Sequence, residues 1–172
     1  MGSLGEWRHC PRCAAALAPE GGRAECPSCG FVAYAHSVPT ASALVVDEEG
    51  RLLLARRARE PELGKWDLPG GFLEEGEAPL DGIRRELREE TGLEVEPLEF
   101  VGVWTDRYGD GGEAPLTLNL YWTARPTAGG MQAADDVSEL RWFPPEELPS
   151  DGEMAFWNVA EAIRSWRSCN RG

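Results

Sequence analysis

No apolar run in the 172-residue chain approaches the ~18 residues needed to cross a bilayer. Its opening residues contain no apolar stretch of the secretory type. These two absences predict a soluble, cytoplasmic protein with no membrane partner. Basic residues are scarce, with 17 Lys and Arg against 30 Asp and Glu, a net charge of −13. That shortage argues against a long nucleic-acid backbone or an anionic membrane as partner. It leaves room for a small phosphate ligand, because bound metal ions can supply local positive charge. Internal repeats and low-complexity segments are absent. The length suits one main domain with a small appendage, and the apolar fraction is ordinary for a globular chain.

Cysteine is also scarce, five residues in all: Cys10, Cys13, Cys26, Cys29 and Cys169. The first four follow a C-x2-C-x12-C-x2-C spacing, and Gly21 and Gly22 between the pairs suit a hairpin turn. Four thiolates so spaced suit one tetrahedral Zn2+, in a segment too short to hold its shape on a core alone. Two disulfides are the alternative, and the missing secretory stretch disfavours them. Ala14 stands where the first knuckle would ordinarily carry glycine. Cys169 is given no role.

What the chain does have is carboxylate in a pattern. Glu86, Glu89 and Glu90 are spaced i, i+3, i+4, which on a helix puts all three on one face. Such a cluster repels itself unless a hard divalent cation such as Mg2+ or Mn2+ neutralises it. Pro79 suits a first helical turn, Leu80, Ile83 and Leu87 recur as a buried stripe, and Gly92 stops the helix. Arg85 precedes Glu89 by four residues and can orient it. A solvated, salt-bridged surface helix is the plain alternative.

Further elements follow from patterning. A buried strand is expected over residues 40–46, a hairpin turn over 47–50 and its partner strand over 51–56. Strands are expected over 95–104, 116–124 and 140–143. Loops are expected over 106–114, polar, Gly-rich and mobile, and over 129–136. A closing helix over 154–167 would bury Phe156, Trp157, Ala160 and Ile163.

Residues 71–93 resemble the Nudix box at every signature position: Gly71, Glu77, Arg85, Glu86, Leu87, Glu89, Glu90, Gly92 and Leu93. The resemblance implies an α/β fold, the Nudix α/β/α sandwich with a mixed sheet, over residues 37–172, preceded by a zinc ribbon over 1–36. It implies hydrolysis of a nucleoside diphosphate linked to another moiety. It also implies two or three catalytic Mg2+ or Mn2+ ions, held by Glu86, Glu90 and the Gly70 carbonyl with Glu89 assisting, and one structural Zn2+ on Cys10, Cys13, Cys26 and Cys29. Gly71 and Glu77 would shape and brace the loop. Arg85, Glu86 and Glu89 form the catalytic set. The general base is Glu86 or a residue of a later loop, with Asp135, Asp136 and Glu139 as candidates. Glu139 is preferred among those three because it abuts Leu140, Arg141, Trp142 and Phe143.

For the substrate, Arg56 and Arg57 could clamp a phosphate. Phe72, Trp104, Tyr108 and Trp66 could line a base slot, although core packing is the commoner role for each. Arg107 and Tyr108 could close over the substrate. The pairing of ribbon and box resembles bacterial NADH pyrophosphatases, but the Ser-Gln-Pro-Trp-Pro-Phe-Pro-like motif that marks NADH specificity there is missing. The favoured substrate is therefore ADP-ribose or an ADP-sugar-like nucleotide, with NADH or NAD as the alternative. A sensor of ADP-ribose or NAD-like ligands is the non-enzymatic alternative, and intact carboxylates count against it. An isopentenyl diphosphate isomerase and an RNA-decapping enzyme rank below these. The partner expected is a small nucleotide; nucleic acid is disfavoured and a homodimer is allowed.

Overall fold

A computed structural model describes residues 4–109 and 114–169. Among these residues the chain forms nine strands and two α-helices. The strands are β1 (Arg23–Glu25), β2 (Val32–Tyr34), β3 (Val38–Val45), β4 (Leu52–Arg57), β5 (Trp66–Asp67), β6 (Gly70–Phe72), β7 (Leu93–Arg107), β8 (Leu116–Gly129) and β9 (Val137–Phe143). The helices are α1 (Pro79–Thr91) and α2 (Trp157–Cys169).

β6, β3, β8 and β7 lie side by side in one sheet, mixed because β3 runs parallel to β8. β5, β4 and β9 make a second, antiparallel sheet. Alternation along β3 and β4 fills two cores. Ala41, Ala43, Val45 and Leu53 pack with Ile83 and Leu87 of α1. Leu44, Leu52 and Leu54 pack with Val159, Ala160 and Ile163 of α2. One helix thus covers each side, an α/β/α sandwich. None of the described helices is long and apolar enough to cross a membrane.

Several expected boundaries move. The turn over 47–50 forms, with Gly50 N–H donating to the Asp47 carbonyl at 3.0 Å. β3 and β4 then share only one bridge, Val46 to Leu52, and part into different sheets. The hydrogen-bonding edges of β3 are taken by β6 and β8, and those of β4 by β5 and β9. β7 extends to Arg107, so the expected loop over 106–114 starts later; residues 110–113 of it lie outside the described residues. β9 begins at Val137, earlier than expected. The closing helix starts only at Trp157, because Met154 bridges to Trp66 and Ala155 N–H donates to the Trp66 carbonyl at 2.7 Å. Trp157 and Leu80 are exposed rather than buried, each sitting in the first turn of its helix. Gly92 ends α1 in the left-handed region, φ 71°.

The cysteine-bearing segment has its own small core of Leu4, Cys10, Leu17, Ala24 and Cys26. Gly21 and Gly22 form the tight turn between Glu20 and Arg23, and β1 pairs with β2 across the second knuckle.

Leu54 is fully buried between the second sheet and α2. Leu54→Ala is expected to cost about 2–5 kcal/mol of stability, read as a lowered urea midpoint with an unchanged slope.

Candidate active site and four-cysteine cluster

Glu86 and Glu90 are one helical turn apart on α1 and both line a cleft of about 250 Å³. The glycines of β6 receive them. Gly70 N–H donates to Glu90 Oε2 at 2.9 Å. A Cβ at Gly71 would lie 2.6 Å from the Glu86 carboxyl carbon, so any larger residue there would push that carboxylate from its present position. Burial pushes the Glu90 carboxyl well above the usual range; the Gly70 N–H opposes the rise, and Asp136, Glu86 and Asp67 add to it. Burial also raises Glu86, against the pull of Arg85. Crowded carboxylate oxygens of this kind, once deprotonated, are the donor set a hard divalent cation takes.

Arg85 organises the neighbouring loop. Its guanidinium forks onto Glu77, with Nε and Nη2 each 2.8 Å from a carboxylate oxygen. Nη1 donates to Glu86 at 2.7 Å and to Glu89 at 3.2 Å, and Nη2 donates to the Phe72 carbonyl at 3.1 Å. Glu77 in turn accepts the Glu74 N–H at 3.0 Å and is held down to about 2 by Arg85.

The rest of the cleft comes from other elements. Asp67 of β5 is ion-paired to Arg57 at 3.1 Å, and burial lifts it to about 6 against that pairing. Arg57 Nη2 also donates to the Tyr108 hydroxyl at 2.9 Å. Phe72, Tyr108 and Phe156 make one wall, with ring centroids 5.2 and 5.7 Å apart in succession. Asp135 and Asp136 line the cleft beside Val137.

The residues named from the sequence divide accordingly. Gly70, Gly71, Phe72, Glu86, Glu90 and Tyr108 meet at the cleft, with Asp135, Asp136, Arg57 and Arg107. Glu89 points outward on the Arg85 pair, its side chain 53% exposed, so the three glutamates do not converge on one point. Glu139 lies outside the cleft, opposite Arg56 in the β4–β9 register and ion-paired to it at 3.3 Å. Arg56 is held there and by the Gly64 carbonyl at 2.8 Å, whereas its neighbour Arg57 faces the cleft. Trp104 packs edge-on against Tyr121 beside the α2 core. Asp67, Asn119 and Asn158 also line the cleft, at positions outside the recognised sequence pattern. A carboxylate next to Trp66 and Leu68, and an amide on the apolar face of α2, were the available signals.

The four cysteines converge. All four Sγ atoms lie within 4.8 Å of one another, and among the described residues this is the only metal-competent group of three or more such ligands. Cys10 and Cys29 Sγ are 3.7 Å apart, Cys13 and Cys26 Sγ 3.6 Å, with no disulfide. The knuckles repeat one another: Ala14 N–H donates to the Cys10 carbonyl and Gly30 N–H to that of Cys26. Ala14 takes the left-handed conformation, φ 59°, that Gly30 takes without strain. Backbone N–H groups of Cys29 and Ser28 pull the Cys26 thiol below its usual range, while the neighbouring sulfurs of Cys13, Cys26 and Cys10 push Cys29 above it, so the four thiols share their protons rather than ionise independently.

A family model described as NUDIX domain matches residues 36–163. The chain belongs to the Nudix family. Over 113 residues it is 37% identical to a "MutT-like protein" of Streptomyces ambofaciens, spanning 66% of this chain and 67% of that one. An "ADP-ribose pyrophosphatase" of Methanocaldococcus jannaschii is 30% identical over 61% of each chain. An "NAD-capped RNA hydrolase NudC" of Stutzerimonas stutzeri is 30% identical over 86% of this chain and 53% of its own length. A solved Nudix hydrolase from Nitrosomonas europaea superposes with a TM-score of 0.77 at 25% identity, covering 95% of this chain and 92% of its own. The chain thus spans about two thirds or less of the curated relatives it matches, and nearly all of the solved neighbour.

Glu77 binds its proton at about 2 in the folded Nudix chain against 4.5 ordinarily. Its stabilisation is therefore complete above pH 4.5 and lost as pH falls from there toward 2. Glu77→Gln is expected to lower stability at pH 7, and its deficit against wild type is expected to shrink between pH 4.5 and 3, measured by urea unfolding at each pH.

Proposed function

We propose that this Nudix chain is a divalent-metal-dependent pyrophosphohydrolase cleaving a nucleoside diphosphate linked to another moiety, with ADP-ribose or an ADP-sugar-like nucleotide as substrate. The observation that carries this reading is the placement of Glu86 and Glu90 against Gly70 and Gly71 in the wall of one cleft. Two or three Mg2+ or Mn2+ ions held by Glu86, Glu90 and the Gly70 carbonyl would neutralise the pyrophosphate and activate water. Glu89, outside the cleft in this structure, assists only by swinging from its Arg85 pair.

The chain's own residues then have distinct work. Glu86 accepts a proton from the attacking water as the new P–O bond forms and the bridging P–O bond breaks. Arg85 keeps that carboxylate aimed at the cleft. Arg57, which lines the cleft, rather than Arg56, held on Gly64 and Glu139, is the phosphate clamp. In this reading the substitute base is Asp136 rather than Glu139, because Asp136 shares the cleft with Glu86 and Glu90 and repels both, whereas Asp135 is paired with Arg59. The products are a nucleoside monophosphate and a phosphorylated partner.

The cysteine-bearing segment, described from residue 4, forms a zinc ribbon in this reading. Sulfur pairs at 3.6 and 3.7 Å suit a tetrahedron of zinc–sulfur bonds, whose edges are about 3.8 Å. NADH or NAD is the second substrate reading, supported by the NudC alignment over 86% of the chain.

Glu90→Gln is expected to lower kcat on ADP-ribose with Mg2+ by on the order of 10²–10³ while the circular dichroism spectrum stays native; full retained activity would sink the mechanism. A hydrolysis screen across ADP-ribose, NADH, diadenosine polyphosphates, nucleotide sugars and nucleoside triphosphates ranks the substrates. ADP-ribose binding with no turnover under any divalent ion would make the chain a sensor. Elemental analysis is expected to find one zinc per chain, and a folded, metal-free protein with intact thiols would remove the ribbon.

A further inference from the structure

The cleft extends well beyond the carboxylates of α1. β6, which carries Gly70 and Gly71, is one edge of the four-stranded sheet; β7, which carries Asp106, is the other. Three strand spacings separate them, roughly 14 Å. Between them Thr40 and Ser42 of β3 and Thr117, Asn119 and Tyr121 of β8 line the floor, with Asn158 of α2 above the Asp106 end.

This floor is one hydrogen-bonded set. Tyr121 O–H donates to Asn158 Oδ1 at 2.8 Å, and Asn158 Nδ2 donates to Asp106 Oδ2 at 3.3 Å. Thr40 O–H donates to Asn119 Oδ1 at 2.8 Å, and Asn119 Nδ2 donates to Thr117 Oγ1 at 2.9 Å. Thr117 O–H donates to the Asp106 carbonyl at 3.2 Å. These bonds use the hydroxyl hydrogens of Thr40, Thr117 and Tyr121 internally and leave carboxylate acceptor positions open. Asp106 accepts two N–H groups among the described residues, from Asn158 and from the Arg107 backbone, out of about four lone-pair positions. The Asp67 carboxylate also accepts two, from Leu68 N–H and Arg57.

Charge and shape narrow the ligand. Six carboxylates line the cleft against the guanidinium groups of Arg57 and Arg107. A phosphate at the Asp106 end would meet like charge, whereas a neutral group rich in O–H donors would fill the open acceptor positions. The Phe72, Tyr108 and Phe156 rings already touch in succession, leaving no gap of roughly 7 Å for a base to be sandwiched between them. Apolar ring faces beside carboxylate acceptors suit the C–H face and hydroxyl edge of a sugar.

We propose that Asp106 and Asn158 are specificity-determining residues that bind the hydroxyl groups of a sugar ring on the far side of the pyrophosphate from the base. The inference rests on the hydrolase reading for the position of the pyrophosphate at Glu86 and Glu90. It makes the chain selective for a nucleoside diphosphate capped by a sugar over the uncapped diphosphate.

The test is calorimetric titration of the full chain, with Mg2+, against the non-hydrolysable α,β-methylene analogues of ADP-ribose and ADP. Wild type is expected to bind the ADP-ribose analogue at least about tenfold tighter. Asp106→Asn, which replaces an acceptor oxygen with a donor, is expected to erase most of that preference and leave the affinity for the ADP analogue unchanged. Asp106→Ser serves the same purpose if thermal melting shows that Asp106→Asn does not fold. Equal affinity for the two analogues in wild type, absence of binding by both, or an equal loss for both in the variant would overturn the proposal. ADP-ribose turnover is followed in parallel. Turnover without the binding preference overturns the sugar subsite alone, and the preference without turnover overturns the hydrolase reading alone.

Discussion

The contact between the Gly70 N–H and the Glu90 carboxylate joins the two halves of the site, and the rest of the cleft is arranged around it. Glu90 belongs to the helix on one side of the sandwich, and Gly70 to the edge strand of the mixed sheet. A carboxylate at this depth is costly, because one N–H donor replaces only part of its hydration and Asp136, Glu86 and Asp67 repel it. A well-packed apolar residue would stabilise the same position better. The fold gains nothing from that cost; in the proposed function, bound divalent cations would offset it.

Arg85 is the counterweight one turn earlier. It draws Glu77, Glu86, Glu89 and the Phe72 carbonyl to one guanidinium, so loop and helix are held in register by charge-assisted bonds. The same short stretch therefore contains a carboxylate held far below the ordinary range and others pushed above it. The first kind fixes geometry. The second kind is available to bind a cation or move a proton. Gly71 separates the roles by leaving space for Glu86 beside the strand.

The cleft is polarised along the sheet. At the β6 edge the cleft presents the Glu86 and Glu90 carboxylates, and at the β7 edge the Asp106 carboxylate, which accepts the Asn158 amide and keeps open acceptor positions. Arg57 stands between, tied to Asp67 and to the Tyr108 hydroxyl, so one guanidinium links the β5 carboxylate to the aromatic wall.

Local pattern was enough for much of this protein. The i, i+3, i+4 glutamates, Pro79 and Gly92 define α1 from neighbouring residues alone, because helix periodicity and capping are short-range. The C-x2-C pairs likewise predict their own convergence, since each knuckle is closed by bonds within five residues. Tertiary structure decided what depends on pairings between distant segments. Strand register turned Glu139 and Arg56 outward onto each other and Arg57 toward the cleft, and the pairing slips by one residue there, with Ser138 of β9 unpaired between Arg56↔Glu139 and Arg57↔Val137. Packing against Tyr121 took Trp104 out of the site, and the meeting of β5, β7 and α2 brought in Asp67, Asp106 and Asn158. Sequence by itself determined the helix, the thiol cluster and the class of chemistry; only the tertiary structure decided which of its many charged and aromatic side chains share one cleft, because that depends on long-range strand order rather than on spacing along the chain.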